Sequence, residues 1–303
     1  MSLAAMADRA WPVLSLLGVD EACVSAQTVV APSTYAAVAL FALTLIPITA
    51  LYEFASPSGY GRFASRSLPS WLSVSARVGW WLLELPCSLV FVAALLYHHM
   101  SSSSSSSLSA ASIFLAVQFL VHYAYRGWLF PYLIRPHADS RFSLVIALGG
   151  WLVTVPHALL SAWWVLAVGP SCGHVALEGA SGVRLILGGL LYAVGLALLV
   201  WHDALLRSLR PANADATNAK GKAVARYSIP RGGLFEYVTS AQYLCELVAW
   251  LGFALLQGSP NGLYILLVST FNLVPRAVRT HAWYLQTFPD YPKDRRSILP
   301  FLC

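Results

Sequence analysis

The chain has 303 residues, of which 58% are hydrophobic and only 11% are charged, and its formal net charge is +6 at pH 7. A water-soluble fold needs a polar exterior that so few charged residues cannot supply. The composition therefore excludes an ordinary soluble enzyme and a disordered chain, and it predicts an integral membrane protein.

Seven long apolar runs predict seven transmembrane helices and hence an all-α fold, since each run is about 20 residues long. In chain order, the predicted spans are residues 33–54, 78–98, 111–133, 143–166, 182–202, 239–257 and 260–277. The last two flank a Gly- and Pro-containing cluster at 257–262, which is typical of a tight helical hairpin. We expect one membrane domain over residues 1–303, with a weakly structured segment at about 1–30.

The distribution of basic residues predicts the orientation. Most of the 19 Lys and Arg residues lie in four segments, at 62–77, 135–141, 207–231 and 276–296. With an odd number of spans these segments share one side, which the positive-inside rule makes the cytoplasm. The N-terminus is then lumenal and the C-terminus cytoplasmic. Nucleic acid is not an expected partner, because the basic residues do not follow one helix face.

The five cysteines, at positions 23, 87, 172, 245 and 303, are far apart. They form no Cys-x-x-Cys pair and no Cys/His cluster. The sequence therefore indicates neither a disulfide framework nor a metal site.

Five ionisable residues fall within or at the edge of predicted spans. They are Glu84, His122, Arg126, Asp203 and Glu246. A charge at membrane depth is costly, so each is a candidate functional residue. The structural alternative is an interhelical ion pair, such as Glu84 with Arg126.

Two cytoplasmic segments suit a nucleotide. Basic and aromatic residues surround Gly232-Gly233, where arginines can bind phosphates and a tyrosine or phenylalanine can contact a ring. The alternative is an interfacial aromatic belt beside positive-inside arginines. The aromatic-rich tail, about residues 278–303, is expected to pack as a cap over the cytoplasmic mouth of the bundle. Neither a Rossmann nor a P-loop motif is present.

Several motifs in the same order carry a family resemblance. They are Pro57-Ser58-Gly59-Tyr60-Gly61, Leu83-Glu84-Leu85-Pro86, Val121-His122-Tyr123, the run from Ile229 to Val238, and the end of the chain from His281 to Lys293 with Ile298-Leu299-Pro300-Phe301. The chain resembles the steroid 5α-reductases (3-oxo-5α-steroid 4-dehydrogenases) over residues 50–303, most densely from residue 199 onward.

The resemblance implies a multi-pass enzyme of the endoplasmic reticulum membrane. It implies NADPH-dependent reduction of the C4–C5 double bond of a 3-oxo-Δ4-steroid, by hydride transfer to the β-carbon of the enone. Glu84 and Tyr123 match the pair that holds the 3-oxo group, and Trp250 matches a residue of the steroid pocket. The matched cofactor-binding positions are Arg126, Asp203, Arg210, Tyr227, Gly232, Gly233, Gln242, Glu246, Arg276, His281, Tyr284 and Arg295.

Four positions depart from the family pattern. Gln242 replaces the family's asparagine at the nicotinamide, and Leu199 replaces an asparagine on the cofactor side. Thr280 replaces a histidine next to His281, and Asn272 replaces a phenylalanine of the pocket. These changes bear on the identity of the substrate more than on the reaction.

Alternatives remain open at this stage. Polyprenal reductases and trans-2-enoyl-CoA reductases of the same superfamily also reduce conjugated double bonds. A seven-helix receptor shares the predicted topology, and a transporter is a further class, although no inverted pair of broken helices is visible. The expected partners are a steroid or sterol-like enone and membrane lipid, and the sequence does not indicate the oligomeric state.

Overall fold

The computed structural model describes residues 2–27, 29–55, 70–101, 108–136, 140–210 and 227–301. The motif at 57–61 lies outside the described residues. The helices are α1 (Leu3–Leu16), α2 (Glu21–Ser25), α3 (Pro32–Ala55), α4 (Ala76–Ser101), α5 (Ala110–Tyr123), α6 (Phe130–Leu133), α7 (Leu144–Trp163), α8 (Gly169–Ser171), α9 (Gly179–Ser208), α10 (Ala241–Gln257) and α11 (Pro260–Thr287).

All seven predicted spans coincide with helical segments. The third runs through a π-helical turn (Ala124–Leu129) between α5 and α6, and the fourth continues through another (Trp164–Val168) into α8. By length and hydropathy, α3, α4, Leu144–Ser171 and α9 suffice to cross a membrane. The chain is thus a predominantly α-helical membrane protein. The last helix, α11, runs ten residues beyond its predicted end, because its backbone hydrogen bonds continue where the apolar run stops.

The N-terminal segment departs from the expectation of weak structure. It contains α1 and α2, and α1 packs against α3 by burying Ala7, Ala10 and Leu14. These small and aliphatic residues are spaced three and four apart, so they share one helix face.

A disulfide bond between Cys23 and Cys172 corrects the prediction from cysteine spacing. The two residues are 149 positions apart in the sequence, and only the folded chain brings α2 to the segment after α8. The His174 Nε2 and the Gly18 carbonyl oxygen lie 2.8 Å apart in the same region. The N-terminal segment is therefore fixed covalently to the connection between α8 and α9.

The helices α9 and α10 are in direct backbone contact. Gly188 and Gly195 of α9 face Leu256 and Ala249 of α10, and Gly252 of α10 faces Tyr192 of α9. A Cβ atom at any of these three glycines would overlap the backbone of the other helix. Small residues of this kind are what allow membrane helices to approach closely.

The chain after α11 folds back onto the loop before α10. Val238 forms a parallel bridge with Arg296, and the amides of Thr239 and Ser240 donate to the carbonyls of Arg296 and Ser297. The chain after α11 therefore packs against this loop. Elsewhere, β1 (Ser73–Ser75) and β2 (Arg141–Ser143) pair antiparallel ahead of α4 and α7.

Candidate active site

A cavity of about 720 Å³ lies inside the bundle, which is within the size range of small-molecule sites. Side chains of α3, α4, α5, α7, α9, α10 and α11 line it. The predicted site residues in its lining are Glu84, Tyr123, Arg126, Asp203, Arg210, Tyr227, Gln242, Glu246, Trp250, Arg276 and Tyr284. The fold thus brings together residues that are up to 200 positions apart in the sequence.

Arg126 is the centre of an ionic cluster in the cavity. Its Nη2 lies 3.7 Å from Glu84 Oε1 and 3.4 Å from Glu246 Oε1, and all three side chains are largely buried. The guanidinium also lies over the rings of Trp80, at 5.4 Å, and Phe130, at 5.0 Å. Burying this much charge is favourable only when it is paired, so Arg126 holds α4 and α10 around the cavity.

The π-helical turn orients two neighbouring side chains toward different partners. Tyr125 donates a hydrogen bond of 2.9 Å to Asp203 Oδ2 of α9, while Arg126 reaches α4 and α10. An inserted residue of this kind changes the direction of side chains along a helix and is frequent at functional sites. The sequence motif gave no sign of this turn.

The inner end of the cavity is aromatic. Tyr123 is 2% exposed and packs against Phe119 at a ring distance of 4.8 Å, and the rings of His122 and Trp250 are 4.2 Å apart. Glu84 contacts Arg126 and forms no hydrogen bond with Tyr123 among the described residues. The proposed Glu84–Tyr123 pair therefore lines one cavity, and no hydrogen bond joins these two side chains in the described structure.

Five buried polar atoms of the lining have no hydrogen-bond partner among the described residues. They are His122 Nδ1, Thr154 Oγ1, Gln242 Oε1, Trp250 Nε1 and Asn272 Oδ1. Buried polar groups are ordinarily paired, and an unpaired group in a cavity indicates a position where a ligand or water binds.

The end of the cavity at Arg210 and Arg276 is basic. Arg276 is 4% exposed, and its Nε donates to the Tyr243 hydroxyl at 3.0 Å. Arg210 lines the same end and donates to the Arg135 carbonyl at 3.1 Å. Tyr284 donates to the Ser228 carbonyl at 3.3 Å, which holds the segment after residue 226 against α11.

Four predicted cofactor residues lie outside the described lining of the cavity. Gly232 and Gly233 have φ angles of +90° and +55°, and the turn they form is fixed where the Leu234 amide donates to His202 Nε2 at 3.1 Å. His281 Nδ1 lies 2.6 Å from the Thr239 hydroxyl. The close approach that the glycine pair permits is to α9, because a Cβ at Gly233 would lie 2.8 Å from His202 Nε2.

Arg295 is the fourth of these residues, and it is 1% exposed. Its Nη1 donates to the Pro230 carbonyl at 2.9 Å, and its Nη2 lies 3.3 Å from Glu236 Oε2. The Gly232 amide donates to the same carboxylate, and this hydrogen bond lowers the pKa of Glu236, with Arg295 and Arg231 acting in the same direction. Arg295 therefore fixes the loop beside the cavity.

The walls supplied by α3 and α7 were missed by the sequence analysis. Leu45, Ile48 and Thr49 of α3 and Val153 and Thr154 of α7 line the cavity. An apolar residue that faces a cavity has the same sequence signal as one that faces lipid. Only Glu53 offered a sign, as a carboxyl near the end of α3, and it forms an ion pair with Arg279.

The fold and the cavity define a multi-pass membrane protein with an internal cavity lined by a buried ionic cluster. A sequence model of the 3-oxo-5-alpha-steroid 4-dehydrogenase family matches residues 140–303. The chain is 30% identical over 260 residues to 3-oxo-5-alpha-steroid 4-dehydrogenase 2 of Sus scrofa, which covers 86% of this chain and 93% of that protein.

Two further relatives agree with this match. A steroid 5-alpha-reductase of Solanum lycopersicum is 31% identical, over 82% of this chain and 88% of its own length. The human 3-oxo-5-alpha-steroid 4-dehydrogenase 1 is 34% identical, over 81% of this chain and 86% of its own length. The chain therefore belongs to the 3-oxo-5-alpha-steroid 4-dehydrogenase family and is an oxidoreductase.

Proposed function

We propose that the protein reduces the C4–C5 double bond of a 3-oxo-Δ4-steroid and uses NADPH as the reductant. The observation that carries the proposal is a single cavity that joins Tyr123 and the Arg126 ionic cluster to an end lined by Arg210 and Arg276. A substrate with one ketone needs a polar group at its oxygen, and an anionic dinucleotide needs basic side chains at its phosphates. One cavity that offers both can hold the two molecules together.

The cavity lining fits NADPH. Gln242 Oε1 is a buried acceptor without a partner among the described residues, which suits the carboxamide of a nicotinamide. Arg210 and Arg276 line the basic end, where guanidinium groups suit phosphate oxygens. When bound, NADPH supplies a hydride for the β-carbon of the enone.

Tyr123 is the proposed donor to the ketone of the substrate. Negative charge develops on the 3-oxygen as the double bond is reduced, and a hydroxyl that donates to this oxygen stabilises the transition state. Glu84, on the α4 side of the cavity, holds the same ketone by donating a hydrogen bond when its carboxyl group is protonated. Trp250 closes the inner end, where its ring packs against His122 and excludes water. Asp203 and Glu246 keep Tyr125 and Arg126 in place.

We further propose seven transmembrane crossings in the endoplasmic reticulum membrane, with a lumenal N-terminus and a cytoplasmic C-terminus, in a single domain that the tail caps. The Cys23–Cys172 disulfide supports this orientation, because disulfides persist in oxidising compartments and both cysteines lie on the predicted lumenal side. The basic segments are predicted to lie on the opposite side.

The test uses the full chain, purified in detergent or in lipid nanodiscs. We expect NADPH fluorescence to report micromolar binding, and we expect a 3-oxo-Δ4-steroid to yield a product that is heavier by two hydrogens and saturated at C4–C5. NADPH deuterated at the transferred position should place one deuterium in the product. Failure of both NADPH binding and enone reduction would refute the proposal.

A further inference from the structure

One face of α11 carries polar groups within the apolar part of the cavity. Ser269 and Asn272 are three residues apart, so they share a face, and both line the cavity. Their neighbours in the lining include Ile265, Val268 and Leu273. Thr49 of α3, a helix that packs against α11, lines the same cavity.

Asn272 is the unsatisfied member of this group. Its Oδ1 is buried and has no hydrogen-bond partner among the described residues. A wholly apolar ligand at this position would leave the amide of Asn272 without a hydrogen bond. Because an unpaired buried polar group is costly, the site disfavours such a ligand. The protein therefore favours a ligand that brings a hydrogen-bonding group to Asn272.

We propose that Asn272 is a specificity-determining residue that recognises a hydroxyl group on the steroid substrate. A hydroxyl both donates and accepts, so it pairs with the amide of Asn272 in either orientation of its oxygen and nitrogen. The carboxamide of the cofactor has a separate acceptor in Gln242. The inference rests on the proposed function and narrows the substrate class to hydroxylated 3-oxo-Δ4-steroids.

The test measures kcat/KM for matched pairs of 3-oxo-Δ4-steroids that differ by one hydroxyl, at successive positions on the rings and side chain. We expect the wild-type protein to prefer the hydroxylated member of at least one pair by about tenfold to a hundredfold. Asn272→Leu keeps a similar volume and removes the amide, so this preference should fall to about threefold or less. Asn272→Gln keeps the amide group and should retain part of the preference.

Val268→Ala serves as the control, because it alters the same wall without a polar change and should affect both members of a pair alike. A preference that persists in Asn272→Leu would overturn the inference, as would weaker NADPH binding in that variant, which would assign Asn272 to the cofactor. Equal reduction of every pair by the wild-type protein would overturn the inference and leave the proposed function intact. Reduction of no enone at all would remove both.

Discussion

Replacement of Tyr123 by phenylalanine tests the centre of the proposed mechanism. The side chain is 2% exposed and its ring packs against Phe119, so phenylalanine keeps the packing and removes only the hydroxyl. One donor to a developing oxyanion is worth about 10²- to 10³-fold in kcat, or about 3–4 kcal/mol. We therefore expect kcat for a 3-oxo-Δ4-steroid to fall by that factor, while the dissociation constant for NADPH stays within about twofold.

The matched control is Tyr264→Phe. Tyr264 is also buried and donates to the Val153 carbonyl at 3.2 Å, but it is not part of the described cavity lining. Its loss should lower stability by about 1 kcal/mol and leave kcat nearly unchanged. Steady-state kinetics with NADPH oxidation as the readout distinguishes the two variants. A Tyr123→Phe protein within tenfold of wild-type kcat, or an equal loss in both variants, would refute the assigned role.

Three further predictions test the structure. Arg126→Met leaves two buried carboxylates unpaired and should destabilise the protein by about 3–5 kcal/mol, which a lower Tm in detergent would show. Adding Glu246→Gln should restore part of the lost stability. An unchanged Tm in Arg126→Met would contradict the ion pairing. Cys23→Ser should lower Tm and abolish the mobility shift that dithiothreitol produces in wild type on non-reducing gels, as should Cys172→Ser, and a shift that survives in both would disprove the disulfide. The hydrogen bond that lowers the pKa of Glu236 stabilises the fold above the ordinary glutamate pKa, and this stabilisation is lost as pH falls through the lowered value. Glu236→Gln should therefore make Tm less dependent on pH in the acidic range. A pH profile of Tm that is unaltered in this variant would contradict the contact.

The positions of the helices were predictable, because apolar runs of span length leave few alternatives to a helix in a membrane. The ionic cluster was partly predictable, since Glu84, Arg126 and Glu246 are charges within apolar runs. Their mutual contacts were not, because a sequence pattern gives the face of a helix but not the neighbour of that face.

The remaining differences have the same physical origin. The disulfide depends on a tertiary contact across 149 residues, which no local spacing reveals. Arg295 matches a family position in a basic tail, and its contacts with the Pro230 carbonyl and Glu236 could not be predicted from local spacing.

The glycine contacts between α9 and α10 have a mechanical consequence. Two helices in backbone contact move as one rigid unit. This unit carries Asp203 on α9, and Glu246 and Trp250 on α10. The spacing of these three groups is therefore set before any molecule enters. A bulkier ligand is therefore accommodated by displacement of α3 and α7, which also line the cavity.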